Sequence, residues 1–309
     1  MNGTAMDTTL PAPGHPDGTG APAARGPADG EAAPSWHALG LPTMSSMLLQ
    51  SFARQGSHSY AARCQWPRLH PLNDRMPVVR HHPLLMLEST RQIALALARW
   101  YPAPAGHPPC EPVSAGLGLR PESWPGERGC ATDLQVRIGV SDLLASGTGA
   151  AAFRVTAEYL HGGVPIGSCT VKLAGRVPEV PPAGDVPLPG LLHPPAAAVG
   201  AGCEGDVLLA RGAQGRLVIA PRDPGHPVLL PGAPSSLTAT AVLEAGRQAV
   251  LLTSGRTSAA VAGLRLDLTH RVPVRGARVD VAWEHGGSRF LVTSGGVVAA
   301  TGSVVFVRS

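Results

Sequence analysis

LLMLESTRQIALALARW, residues 84 to 100, sets Glu88, Arg91 and Gln92 into an otherwise apolar run. The spacing predicts a helix that is apolar nearly all round, which belongs inside a protein rather than on its surface. Residues at i, i+3 and i+4 share one helix face, so the three polar side chains cluster. The same triplet recurs in AVLEAGRQAVLL (241 to 252) as Glu244, Arg247 and Gln248. Burying such ions costs several kcal/mol unless they are well paired. Their repetition within one chain therefore asks for a joint explanation, either a structural ion pair or a functional site.

The recurrence extends along the chain. His70-Pro71 stands 18 positions before Glu88, and His226-Pro227 stands 18 before Glu244, so the two units share an offset of 156 residues. SMLLQSF (46 to 52) corresponds to DVLLARG (206 to 212), and SAGLGLR (114 to 120) to VAGLRLD (261 to 267). LQVRIGV (134 to 140) resembles ARVDVAW (277 to 283), FRVT (153 to 156) resembles FLVT (290 to 293), and GSCTVKL (167 to 173) resembles GSVVFV (302 to 307). This is an internal duplication. Each copy reads as a short strand, a His-Pro loop, one apolar helix and several β-rich segments with Gly-Gly turns at Gly162-Gly163, Gly286-Gly287 and Gly295-Gly296.

One apolar helix against an antiparallel sheet is an α+β layer arrangement. A helix without a polar face is best buried by a sheet that wraps it, which is the hotdog arrangement. The expected fold is a tandem (double) hotdog forming an internal pseudo-dimer, so that one chain suffices. The expected division is a tail at 1–34 without hydrophobic periodicity, a first hotdog at 40–175, a Pro-rich linker at 176–204 and a second hotdog at 205–309.

Composition narrows the function. Of 309 residues, 44% are hydrophobic and 15% charged, so a large core can form. The net charge is only +4 and the pI about 9.0. With no Arg-rich stripe or interleaved aromatics, nucleic-acid binding is not expected. A modest positive field suits an acidic carrier protein or a phosphorylated substrate. Five scattered cysteines, Cys64, Cys110, Cys130, Cys169 and Cys203, indicate neither a disulfide framework nor a metal site. No apolar run has membrane-spanning length and no signal peptide is visible, so a cytoplasmic protein without a membrane partner is expected.

WPRLHP (66 to 71) followed by PLLMLESTRQIALAL (83 to 97) resembles the first half of the AfsA family, the A-factor biosynthesis proteins of actinomycetes. GHPVLLPGAPSSLTATAVLEAGRQA (225 to 249) resembles its second half. The resemblance spans roughly 40 to 309 and rests on the paired His-Pro and Glu-x-x-Arg-Gln units. It implies a tandem hotdog that moves a β-ketoacyl group from an acyl carrier protein or CoA thioester to the hydroxyl of dihydroxyacetone phosphate. The product leads to γ-butyrolactone, furan or butenolide signals, and no cofactor is needed. Under that resemblance Glu88 serves as acid/base group and Arg247 holds the phosphate, with Arg91, Gln92, Glu244 and Gln248 supporting at the substrate. An exchange of roles, with Glu244 and Arg91 as the working pair, is the alternative.

The second half departs from the family's Phe-Asp-His…Asp-His-Val-Pro-Gly-Met stretch: residues 228 to 242 contain neither His nor Asp. The first copy has Asp74, His81 and His82 in the corresponding loop. His81 and His82 read most simply as loop surface. His70 and His226 read as turn-stabilising residues at least as readily as catalytic ones. Other hotdog chemistry, a thioesterase or a dehydratase, and a non-catalytic ligand-binding role remain as alternatives. A hotdog dehydratase pairs the helix acid with a histidine in the loop before it, and the second copy offers none after His226.

Overall fold

Two helices carry the fold, and each forms for local reasons. Pro83 immediately precedes α1 (Leu84–Ala98) and accepts from the Met86 N–H, a place where its own missing N–H costs nothing. In α3 (Ala239–Ser254), the Thr238 hydroxyl caps the start by accepting from the Ala241 N–H at 3.2 Å. Gly255, left-handed at φ +65°, ends it by donating its N–H to the Leu251 carbonyl. Both helices are buried nearly all round, as their patterns predict. The computed structural model describes residues 32–68, 70–73, 80–98, 110–126, 129–144, 152–175, 177–180, 190–256 and 261–307. Asp74, Trp100, residues 1–31 of the expected tail and 181–189 of the expected linker lie outside them.

Around the helices runs one twelve-stranded sheet, antiparallel at every pairing of strands. Its strands are β1 (Leu49–Arg54), β2 (Ser59–Trp66), β3 (Glu111–Leu119), β4 (Thr132–Leu144), β5 (Ala152–His161) and β6 (Val164–Ala174) in the first half. The second half supplies β7 (Leu209–Arg211), β8 (Leu217–Ile219), β9 (Val261–Leu268), β10 (Arg278–Glu284), β11 (Gly287–Ser294) and β12 (Val297–Phe306). Read outward from the centre, the orders are β3-β6-β5-β4-β2-β1 and β9-β12-β11-β10-β8-β7. The two halves mirror each other, and every segment paired by the sequence repeat falls at the equivalent place. They join where β3 meets β9, from Ser114↔Asp267 to Gly118↔Gly263. Helix α1 packs on β3, β5 and β6, and α3 on β9, β11 and β12, so each half is a sheet wrapped on its own central helix. That is the hotdog fold, twice in one chain. The β5–β6 and β11–β12 hairpins turn on Gly162-Gly163 and Gly295-Gly296, all four at positive φ, as two-residue turns between twisted strands require.

The repeat begins upstream of where the sequence suggested. The turn at Trp36–Leu41, closed by Leu41 N–H to Trp36 O, recurs at Ala196–Ala201, closed by Ala201 N–H to Ala196 O. Gly40 and Gly200 hold matching left-handed φ of +65° and +62°. Ala32 bridges to Phe52 on the β1 edge, and Leu192 bridges to Arg211 on the β7 edge. The last three residues of the expected tail, 32–34, are thus part of the fold. The described part of the expected linker is likewise built in, with Val177 and the short helix α2 (Ala196–Val199) contributing buried side chains.

Gly246 shows how tightly α3 is packed. A Cβ there would sit 2.3 Å from the Phe290 ring, whereas the equivalent position of α1 is Thr90, hydrogen-bonded to the Tyr159 hydroxyl at 2.8 Å. Gly→Ala inside a helix ordinarily stabilises by about 1 kcal/mol. Here Gly246→Ala should instead lower stability by about 1–3 kcal/mol, the cost of overpacking. An unchanged or raised melting temperature would contradict this.

Candidate functional site

The two polar triplets adopt the same geometry. On α1, the Glu88 carboxylate accepts from Arg91 Nε at 2.8 Å, Arg91 Nη2 at 2.6 Å and Gln92 Nε2 at 3.1 Å. Gln92 also donates to the Ser46 carbonyl at 2.8 Å and accepts from the Leu48 and Leu49 N–H groups at 2.8 and 3.1 Å. On α3, Glu244 accepts from Arg247 Nε and Nη2, both at 2.7 Å, and from Gln248 Nε2 at 2.9 Å. Gln248 donates to the Asp206 carbonyl at 2.8 Å and accepts from the Leu208 N–H at 2.9 Å. Each glutamine therefore ties the segment entering β1 or β7 to its helix, and each glutamate aligns glutamine and arginine. Leaving those buried backbone groups unpaired would cost about 1–3 kcal/mol each. The repetition of the triplet has a structural cause in both halves.

The halves differ in what surrounds the arginine. The Arg91 side chain is 24% exposed, while that of Arg247 is 0% exposed. Arg247 Nη2 makes a further bond to the Gly200 carbonyl at 2.8 Å, so the turn after α2 closes over it. Its Nη1 is buried with no hydrogen-bond partner among the described residues. Burial raises the Glu244 pKa, but Arg247, His82 and Gln248 outweigh it and hold the carboxyl below its ordinary value. Among the described residues each triplet's ion pair closes within its own helix, Arg91 on Glu88 and Arg247 on Glu244.

His82 connects the halves instead. His81 and His82 are 1% and 5% exposed, which corrects their reading as loop surface. His81 Nε2 pairs with the Thr132 hydroxyl at 2.8 Å, and Asn73 Oδ1 accepts from the His82 N–H at 3.1 Å. These bonds pin the loop so that His82 Nε2 stands 3.6 Å from Glu244 Oε2 of the other half. His82 Nδ1 accepts from the Leu84 N–H at 3.2 Å. In neutral imidazole the proton then sits on Nε2, making His82 a donor toward Glu244. Burial, with Arg247 beside it, lowers the His82 pKa to about 4.

His70 and His226 serve their turns in the way the sequence suggested. His70 Nδ1 accepts from Leu72 N–H at 3.3 Å; His226 Nδ1 accepts from Val228 and Leu229 N–H at 3.1 and 3.0 Å. His226 Nε2 meets Asp206 Oδ1 at 2.9 Å. Burial lowers the His70 pKa to about 4, and His70 feels Glu88 of its own half together with His226 and Asp206 of the other. A buried polar interior thus runs from Glu88 past His70 to Asp206, His82, Glu244 and Arg247. The sequence reading set His82 aside as loop surface and did not single out Asp206, because neither repeats: their counterparts are Thr238 and Ser46.

A separate cleft of about 220 Å³ opens between Arg91 and the first turn of α3, lined also by Val177, Leu237, Ala239 and Val272, with Glu111 and Arg271 among its charged groups.

No family model matches the chain, and no curated protein does. Among solved structures, the dehydratase domain from the terminal module of the rifamycin polyketide synthase is 16% identical, with a TM-score of 0.49 over 87% of this chain and 97% of that one. The erythromycin dehydratase is 16% identical, with a TM-score of 0.44 over 90% and 98%. A protein assigned as a thioesterase from Novosphingobium aromaticivorans is 15% identical, with a TM-score of 0.46 over 84% and 98%.

Proposed function

We propose that the chain is an acyl-thioester enzyme of the AfsA type, transferring a β-ketoacyl group from a carrier-protein or CoA thioester to the hydroxyl of dihydroxyacetone phosphate. The observation that carries this reading is Arg247 Nη1, a fully buried cationic donor without a partner among the described residues, set beside His82 and Glu244. Such a donor is a receptor for an anionic oxygen, and guanidinium–phosphate bonds are among the stronger ones. His82 Nε2–H supplies a second donor. Glu88 acts as acid/base group. The acceptor hydroxyl oxygen attacks the thioester carbon as its proton passes to Glu88, the C–S bond breaks, and the departing thiolate takes the proton back. A thioester is already activated, so no nucleophilic Ser or Cys is required. Arg91 and Gln92 hold Glu88 in place, and Glu244 and Gln248 hold Arg247. His82 reaching across also answers the missing histidine of 228–242.

A dehydratase is the second reading, favoured by one observation: a histidine of one half faces the helix acid of the other at 3.6 Å. Two others weigh against it. The base would need a lone pair on Nε2, whereas Nδ1 is the nitrogen that accepts from Leu84, and the acid would need to be protonated, whereas Arg247, His82 and Gln248 hold the Glu244 carboxyl below its ordinary value.

The test is incubation with a β-ketoacyl thioester, with and without dihydroxyacetone phosphate, and with a β-hydroxyacyl thioester. Thiol release with ester formation only in the presence of the acceptor is the expected result. Acceptor-independent thiol release would make the chain a thioesterase, enoyl product a dehydratase, and inertness a binding protein.

A further inference from the structure

We infer that the cleft between Arg91 and the start of α3 is the acyl-chain pocket and sets the donor's chain length. The inference rests on the thioester reading above for its occupant. Most of the wall is hydrocarbon: Val177, Leu237, Ala239 and Val272 are 5%, 6%, 7% and 1% exposed. They come from three separate segments, the stretch after β6, the entry and first turn of α3, and the loop after β9. The cations present are ion-paired, although Arg271 Nε is buried without a hydrogen-bond partner among the described residues. Arg91 is paired with Glu88, and Arg271 with Glu111 and Glu179. With Glu88, Glu111 and Glu179 set against Arg91 and Arg271, carboxylates outnumber cations, which disfavours a phosphate, whereas an alkyl chain needs no counter-charge. The pocket also reaches the chemistry, because Arg91 lines it while holding the Glu88 carboxylate at 2.6 Å. The acyl chain then lies in the open cleft and the phosphate goes to Arg247 in the closed interior, which separates the two substrates.

The volume gives a length. A protein cavity of roughly 150 Å³ accepts benzene, so 220 Å³ corresponds to about eight or nine carbons. A series of β-ketoacyl thioesters from four to fourteen carbons, assayed with the full chain, should show kcat/KM rising about fourfold per methylene and levelling near eight to nine carbons. Ala239→Leu fills the cleft from α3, where leucine is a good helix former, and Val177→Phe fills it from the stretch after β6. Either variant should bring the plateau forward by about two or three carbons. A plateau unmoved in both folded variants overturns the inference while leaving the reaction intact. If no donor is transferred, the reaction reading fails. The pocket is then judged by calorimetry with non-hydrolysable acyl-pantetheine thioethers: a length dependence shifted by the same variants supports it, and its absence overturns it.

Discussion

Glu88→Gln should lower acyl transfer by roughly 10² to 10⁴ with the fold intact, while the same change at its counterpart, Glu244→Gln, should unfold or severely destabilise the protein. The two glutamates make nearly identical bonds, so the difference lies in their arginines. Glutamine at 88 keeps shape and some hydrogen bonding and removes the proton acceptor. Arg91, with 24% of its side chain exposed, can hydrate when its partner loses charge. Arg247 cannot, being 0% exposed and, among the described residues, already short of a partner at Nη1. Removing one member of a buried ion pair costs about 3–5 kcal/mol, a large part of the 5–15 kcal/mol that holds a typical domain together. Arg247→Met, which removes the stranded charge and keeps the volume, should fold better than Glu244→Gln and still lose the phosphorylated acceptor. Turnover and thermal unfolding on the four chains decide the matter. A folded Glu88→Gln enzyme with unchanged transfer rate sinks the acid/base assignment, and equal melting temperatures for the two glutamine variants sink the asymmetry.

The features legible in the sequence were those that occur twice. Apolar period, His-Pro turn and Glu-x-x-Arg-Gln at one offset define two helix-centred units, and the strand segments follow in matching order. What could not be read was whatever the two copies do differently. His82 has Thr238 as counterpart, so no repetition marked it, and its burial depends on Asn73, Trp124 and α3 converging on one loop. The turn over Arg247 lies in a stretch of Pro, Ala and Gly, whose composition resembles a spacer. Its role rests on one backbone carbonyl, that of Gly200, and composition carries no information about where a carbonyl points. The triplet's recurrence has a structural account in the tether to β1 and β7.

That asymmetric interior should also make the protein acid-sensitive well above the range where carboxylates protonate. His70 and His82 are both held near 4, against an ordinary value of 6.5, chiefly by burial. His82 faces Arg247, Glu244, Asp206 and His70; His70 faces Glu88, His226, His81 and Asp206. The unfolded chain takes up a proton at each histidine near pH 6.5, and the folded chain does so only near pH 4. Between those values the unfolded state binds more protons, so stability falls as pH falls. Each histidine contributes up to about 1.4 kcal/mol per pH unit within the window, and the pair about 2.7. Asp206 and Glu244 have lowered pKa values of their own, and their stabilisation is lost only as pH falls further, through those folded-state values. Melting temperature measured from pH 7.5 to 4.5 should therefore drop steeply from about pH 6.5 downward. In the His70→Gln/His82→Gln double variant, whose absolute stability is lower, the slope over that interval should flatten. A wild-type melting temperature that is level between pH 6.5 and 5, or a slope unaltered in the double variant, would show that these two imidazoles are not buried in their neutral form.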